Sequence, residues 1–332
     1  MAQMILPMEQ HNMHYDIFNG DADGICALHQ LRLADPRPDA TRISGVKRDI
    51  VLLGRPELAS ICDATLTVLD VSLDSNREPL LQLLARNNTI TYFDHHSADP
   101  IPKTDLLTAS IVLSADTCTS LLVNEALKGK YARWAICGAF GDNLHTKARK
   151  IAASCSLSET ETDQLREIGE LLNYNGYGAT IDDLHFHPLE LYDAVVPFAN
   201  PLLFFQESSE LVQLRKGFQE DMELALAVAE YPNKGKNRVY FFPDAPWGRR
   251  VAGVFANLKA REKADSAHAL ITENRDGTLR ISVRAPLNDR RDAATLCKKF
   301  PSGGGRAASA GINYMPADQI EDFLAAFNTI YP

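Results

Sequence analysis

Through the first half of the chain, short β-rich apolar runs alternate with stretches of helical period. Tyr15–Phe18 reads as a strand, and Gly24–Ala34 as a helix behind a Gly/Asp turn. Leu66–Asp70 reads as a strand ending in a carboxylate, followed by a helix near Arg77–Arg86. Thr89–Phe93 is a further strand pattern that runs into Asp94-His95-His96. Ser110–Leu113 leads into a helical pattern near Thr117–Leu127, and the apolar run Ala132–Phe140 stops at Gly141-Asp142-Asn143. Such strand–helix alternation predicts a doubly wound parallel sheet with helices on both faces. In sheets of that kind ligands sit beyond the carboxyl ends of the strands, which is where the acidic residues fall.

The pattern then changes. Ser158 and Glu161 fit a capping box at the start of a helix. His185–Phe205 is rich in proline and aromatic residues, and Glu207–Ala229 is an amphipathic stretch that predicts a connecting helix, broken at Tyr231-Pro232-Asn233. Beyond it come a strand (Arg238–Phe242), a helix (Arg250–Glu262), and two strands (Ala267–Ile271, Thr278–Val283) around the hairpin signal Asn274-Arg275-Asp276-Gly277. A helix near Asp292–Lys298, a glycine run and a last helix near Ala317–Phe327 complete the chain. The reading is α/β with two domains. Residues 1–190 form the first, 191–232 a linker helix region, and 233–332 a smaller α/β domain with a mixed sheet.

Composition agrees with that division, since 332 residues, 45% of them hydrophobic, suffice for about two cores. The six cysteines are irregularly spaced and form no CxxC pair, as in a reduced cytoplasmic protein without a disulfide framework. Met1–His14 has no basic region followed by an apolar run, so no signal peptide is expected, and no apolar stretch reaches the ~18 residues of a membrane span, so no membrane partner is expected. The formal net charge of −9 argues against nonspecific binding of duplex DNA. It is unevenly spread. Tyr231–Ala310 holds 16 Lys and Arg against 7 Asp and Glu, a net of +9, and the remainder holds 18 against 36, a net of −18. An acidic domain that holds cations and a basic one that holds an anion would give this split.

Four segments carry candidate chemistry: Phe18-Asn19-Gly20-Asp21-Ala22-Asp23-Gly24, Val68-Leu69-Asp70-Val71, Phe93-Asp94-His95-His96 and Gly138-Ala139-Phe140-Gly141-Asp142-Asn143. The first is not a calcium-hand loop, because Arg32 stands where that loop needs its twelfth-position glutamate. Carboxylates at this density cannot converge without cations, because their repulsion raises their pKa values. Oxygen ligands with one or two imidazoles suit Mn²⁺, with Mg²⁺ or Co²⁺ also accommodated. A pair of such ions roughly 3.5–4 Å apart activates water and holds phosphoryl oxygens.

In order and spacing, these four segments resemble the motifs of the DHH phosphoesterases, named for the triplet seen here as Asp94-His95-His96. The last hundred residues resemble the family's associated C-terminal domain, whose glycine signature appears as Pro301-Ser302-Gly303-Gly304-Gly305-Arg306, followed by Ala307-Ala308-Ser309-Ala310-Gly311. The resemblance covers nearly the whole chain. It implies that Asp21, Asp23, Asp70, His95 and Asp142 ligate two metal ions, with Asp70 bridging. It further implies that His96 faces the scissile phosphate and that Asp94 orients a neighbouring histidine or water. Arg284, the glycine run with Ser302 and Arg306, and Thr117 at a helix start would bind substrate in a cleft between the domains. Two positions depart from the pattern. Ile17 stands where many members have histidine, with His14 the nearest imidazole, and Arg306 stands where histidine is frequent.

The implied activity is hydrolysis of short single-stranded RNA or DNA, or of linear dinucleotides such as pApA and pGpG, to nucleoside monophosphates. A homodimer is among the expected assemblies. Three other readings remain open: a phosphatase for 3′-phosphoadenosine 5′-phosphate or polyphosphate, a 5′→3′ single-strand DNA exonuclease, and a nucleotide sensor without turnover. Ser120 beside Thr117 serves phosphate binding or ordinary capping, His185 and His187 read as structural or surface residues, Trp247 beside Arg249 and Arg250 reads as core or interface, and Arg290, Arg291, Lys298 and Lys299 read chiefly as solvated surface charge.

Overall fold

The computed structural model describes residues 13–233 and 235–332. The chain forms two compact units that interleave in sequence. One runs through Gly176 and includes Phe186–Leu214, and the other comprises Tyr177–His185 and Arg215–Pro332.

The first unit opens with β1 (His14–Asn19), α1 (Ala22–Ala34), β2 (Thr41–Gly45), β3 (Thr65–Leu69), α2 (Arg77–Ala85), β4 (Thr89–Asp94) and β5 (Leu107–Ile111). Its five strands are all parallel, in the order β2-β1-β3-β4-β5. The order reverses beside β1, so the carboxyl ends of β1 and β3 flank a topological switch point, where doubly wound sheets bind ligands. One core packs Tyr15, Ile17, Leu66, Val68, Ile90 and Tyr92 of the sheet against Leu80 and Leu83 of α2. The helical layer that follows is α3 (Thr119–Ala126), α4 (Ala132–Gly141), α5 (His145–Ser154), α6 (Glu159–Gly176), α7 (Pro188–Val195) and α8 (Pro201–Glu207). Helix α4 packs against α1, α3, α5 and α6. Every residue from Trp134 to Gly141 is buried, which accounts for its apolar character all round.

In the second unit, α9 (Ser209–Ala227, which begins in the first unit) leads to β6 (Arg238–Phe242), α10 (Pro246–Glu262), β7 (His268–Glu273), β8 (Leu279–Arg284), α11 (Ala293–Cys297), β9 (Gly303–Gly305), β10 (Ser309–Met315) and α12 (Ile320–Ile330). Its sheet has the order β6-β7-β8-β10-β9, parallel only between β6 and β7. Ile271, Ile281, Val283 and Ile312 meet Leu296 of α11 and Phe323 and Phe327 of α12 in its core.

The capping box forms as read: Ser158 N–H donates to Glu161 Oε2 (2.9 Å) and Glu161 N–H to Ser158 Oγ (3.2 Å). The Asn274–Gly277 turn also forms, with Gly277 at φ +78°. The structure differs elsewhere. Strand β2 was not anticipated, and the glycine run is an edge strand. The aromatic passage holds two helices, each with proline at its first position, where a missing N–H costs nothing. The connecting helix does form, as α9, its start set by Ser208, whose Oγ accepts Leu211 N–H (3.1 Å).

Candidate metal centre

β1 positions the first group. Its last residue, Asn19, accepts Asp21 N–H at Oδ1 (3.2 Å). Asp21 then caps α1, Oδ1 accepting from the N–H groups of Asp23 (3.0 Å) and Gly24 (3.1 Å). Position 24 requires glycine, because a Cβ there would lie 2.1 Å from the Asn19 carbonyl oxygen. Asp23 reaches across to α3, where its Oδ2 accepts Thr119 N–H (2.7 Å) and its Oδ1 accepts Ser120 N–H (2.8 Å).

β3 delivers Asp70, at φ +58° immediately beyond the strand. A non-glycine residue in that region stores about 1–3 kcal/mol of strain, a cost often found at functional sites. Asp70 N–H donates to the Phe93 carbonyl (3.0 Å), and its Oδ1 accepts from Thr119 Oγ1 (3.0 Å). β4 ends at the fully buried Asp94, whose Oδ1 lies 2.6 Å from His96 Nδ1. Its Oδ2 has no hydrogen-bond partner among the described residues. His95 Nε2 lies 3.4 Å from Asp70 Oδ1 and 3.9 Å from Asp142 Oδ2, Asp142 being the C-cap residue just past α4. Asp70, His95 and His96 each present a ligand atom, all within 4.8 Å of one another.

One group at the site lies outside every sequence motif. Lys47 follows β2, beside β1 in the sheet. Its ammonium pairs with Asp21 Oδ2 and donates to Asn173 Oδ1 of α6 (2.9 Å), with Asp142 Oδ1 at 3.9 Å. The backbone of Lys47 is fixed on both sides, by N–H to the Gly176 carbonyl (2.9 Å) and by Asn19 Nδ2 to its own carbonyl (3.1 Å). A lysine just past a short strand on the same sheet edge as Asp21 was the available signal.

The carboxyl groups respond to this arrangement. Burial pushes Asp21 up, but Lys47 and the α1 N–H bonds outweigh it and hold it below the usual range. Burial, then repulsion from Asp23 and Asp21, puts Asp70 well above its ordinary value. Asp142 is pushed up to about 7, by burial first and Asp23 next. His96 is raised, chiefly by its hydrogen bond to Asp94. The buried Asp70 carboxyl and the two imidazoles form a donor set that fits a hard-to-borderline divalent ion.

The remaining sequence candidates separate clearly. Ile17 is fully buried in β1. His14 opens that strand at its far, amino end and contacts Arg37 Nη1 (2.9 Å), so it is not at the site. Thr117 lies two residues ahead of α3, and the first N–H groups of that helix serve Asp23 rather than an incoming phosphate.

In the second unit, Arg284 donates to Asn257 Oδ1 (2.8 Å) and Ser282 Oγ (2.8 Å), with no carboxylate partner among the described residues. It lines a cavity of about 330 Å³ with Asn257, Arg290 and Ser309. Gly303 and Gly305 pair with Ile312 and Ala310 of β10, and packing alone explains them. A Cβ at 303 would lie 1.8 Å from the Cys297 carbonyl oxygen, and Gly305 has φ +132°. Gly304 has open space on its Cβ side. Ser302 is turned onto the β10 backbone, its Oγ accepting Tyr314 N–H (2.8 Å) and Asn313 N–H (3.1 Å). Arg306 is exposed in the tight turn from β9 to β10.

Trp247 packs on Phe242, Arg249 is bidentate to Asp183, and Arg250 pairs with Asp221, so all three have structural duties. His187 caps α7, and His185 lies 4.0 Å from Asp221. Among the described residues no helix is long and apolar enough to cross a membrane.

No family model and no curated protein matches the chain in sequence. Solved structures do match in fold. An exonuclease RecJ bound to manganese aligns at TM-score 0.61 and 17% identity, over 96% of this chain and 90% of that one. A DHH-domain protein described as a member of a family of ribosomal proteins aligns at TM-score 0.60 and 14% identity, over 96% and 86%. A pGpG-specific phosphodiesterase, PggH, from Vibrio cholerae aligns at TM-score 0.53 and 14% identity, over 96% and 99%. The resemblance read from the sequence is borne out at the level of the fold: the chain has the two-domain α/β fold of the DHH and RecJ proteins.

Proposed function

We propose that the protein is a metal-dependent phosphodiesterase acting on short single-stranded oligonucleotides or linear dinucleotides, releasing nucleoside monophosphates. The observation that carries this reading is the convergence of Asp70, His95 and Asp142 at the sheet's switch point, with Asp94 behind His96. The solved proteins with this fold, an exonuclease and a pGpG phosphodiesterase among them, support it.

Asp70, His95 and His96, with Asp142 adjacent, would hold a divalent ion, Mn²⁺ by donor type. When bound, such an ion supplies Lewis acidity toward a phosphoryl oxygen and lowers the pKa of water. The residues themselves do the rest. Asp94 fixes the His96 ring through Nδ1, leaving Nε2 to face a ligand or a phosphoryl oxygen. Lys47 and the N–H groups of α1 keep Asp21 ionised beside the site. In the second unit, Arg284 and the exposed Arg306 fork offer donors to an anionic substrate, and Gly304 leaves open space on its Cβ side.

The test is a substrate panel with Mn²⁺: pApA, pGpG, labelled 2–5-mers, long single strands and 3′-phosphoadenosine 5′-phosphate. Monophosphate release from the shortest diesters, reduced about 100- to 1000-fold in Asp70→Asn, is expected. Intact dinucleotides and short oligomers would overturn the reading.

A further inference from the structure

We infer that the Lys47 ammonium is the resident cation on the Asp21 side of the centre, so that the protein binds one divalent ion where its motifs suggest two. This rests on the metal-dependent reading above and refines it.

The carboxylates divide by what already occupies them. Both oxygens of Asp21 are engaged, Oδ1 by the N–H groups of Asp23 and Gly24 and Oδ2 by Lys47. Both oxygens of Asp23 accept backbone N–H groups of α3. Ile17, behind Asp21 in β1, is apolar and brings no donor. Asp70, which also meets Asp21, and Asp142, 3.9 Å from the Lys47 ammonium, are the carboxylates that His95 reaches, at 3.4 and 3.9 Å. Among the described residues, the group able to close on one ion is Asp70, His95 and His96, and it includes neither Asp21 nor Asp23.

The lysine is placed, not merely attracted. Fixing a long side chain costs rotamer entropy. Here the cost is reduced by anchoring at both ends. The backbone is pinned by Gly176 and Asn19, and the ammonium meets Asn173 Oδ1 as well as a carboxylate. Gly176 allows α6 to approach this closely, since a Cβ there would lie 3.1 Å from Asp21 Cβ and 3.4 Å from Lys47 Cβ. An ammonium held between Asp21 and Asp142 supplies one positive charge with N–H donors. It neutralises Asp21 without the 2+ charge of a second ion, and it can donate to a phosphoryl oxygen without having to be loaded.

The test counts ions on the full-length protein, freed of metal and titrated with Mn²⁺ by calorimetry and electron paramagnetic resonance. Wild type is expected to bind one Mn²⁺ per chain with the spectrum of an isolated ion. Lys47→Ala, which opens the Asp21 side, is expected to bind two, with spin coupling between neighbours. Two coupled ions in wild type would overturn the inference, and so would a single ion in both proteins. If Lys47→Ala does not fold, the wild-type count decides by itself. Absence of any bound Mn²⁺ would instead overturn the metal-dependent reading, and this inference with it.

Discussion

Asp94 acts through a neighbour. It is buried, gives one oxygen to His96 Nδ1 at 2.6 Å, and keeps the other unpartnered among the described residues. Replacing it by Asn keeps the volume but substitutes a neutral acceptor, so the ring loses its charge-assisted anchor. Asp94→Asn is expected to weaken Mn²⁺ affinity or turnover by about 10–100-fold while the protein stays folded. Metal titration alongside circular dichroism checks this, and an unchanged affinity and rate would show that the Asp94–His96 bond is not used.

At the scale of elements, the glycine run separates structural from functional demand. Gly303 faces the α11 carbonyl of Cys297 at a distance no Cβ can share, whereas Gly304 faces open space. Gly303→Ala is expected to destabilise the second unit by about 1–3 kcal/mol through overpacking. Gly304→Ala should stay within about 0.5 kcal/mol and alter only substrate affinity. Urea unfolding and product assays on the two variants separate the effects. Other elements show what sequence could and could not reveal. The acidic motifs were legible because each directly follows an apolar run, and the switch point then brings the run ends together. Lys47 was not, because β2 is five residues long, exposed at Thr41 and half-buried at Arg42, and resembles a loop. Helices α7 and α8 were hidden by prolines that mark helix starts as readily as loops. The engagement of Asp23 with α3 is a contact between residues nearly a hundred positions apart, which no local pattern encodes.

Over the whole molecule, charge is less polarised by unit than by segment. The second unit adds residues 177–185, 215–230 and 311–332, with nets of −2, −2 and −3, to the +9 of 231–310. It therefore carries +2, and the remainder of the chain −11. Several arginines of the basic segment are consumed by these acids, as in the Arg249–Asp183 and Arg250–Asp221 pairs. The basic segment marks Arg284 and Arg306 rather than a generally cationic body.

Stability should also depend on pH through buried histidines, one in each unit. His29 Nε2 donates to the Phe198 carbonyl (2.8 Å) with its ring edge-on to Trp134, and burial lowers its pKa to about 4 from 6.5. His268 is lowered to about 4 as well, again by burial first. Below pH 6.5 the unfolded chain takes up protons that the folded state refuses. Stability is therefore complete above 6.5 and lost progressively down to about 4. His29 alone should cost the first unit about 2 kcal/mol at pH 5 relative to pH 8. Urea unfolding followed by Trp134 fluorescence in a Trp247→Phe background would show it. His29→Gln should flatten that acid limb, and an unchanged slope would remove His29 from the account.

The hold of Asp23 on Thr119 and Ser120 makes those two amide hydrogens reporters of the centre's occupancy. Their hydrogen exchange should be slow in the metal-free protein, because a buried carboxylate keeps the first turn of α3 closed. An ion that recruited Asp23 would withdraw that acceptor and let the turn fray. An ion confined to Asp70 and the histidines would leave both amides protected through the whole Mn²⁺ titration.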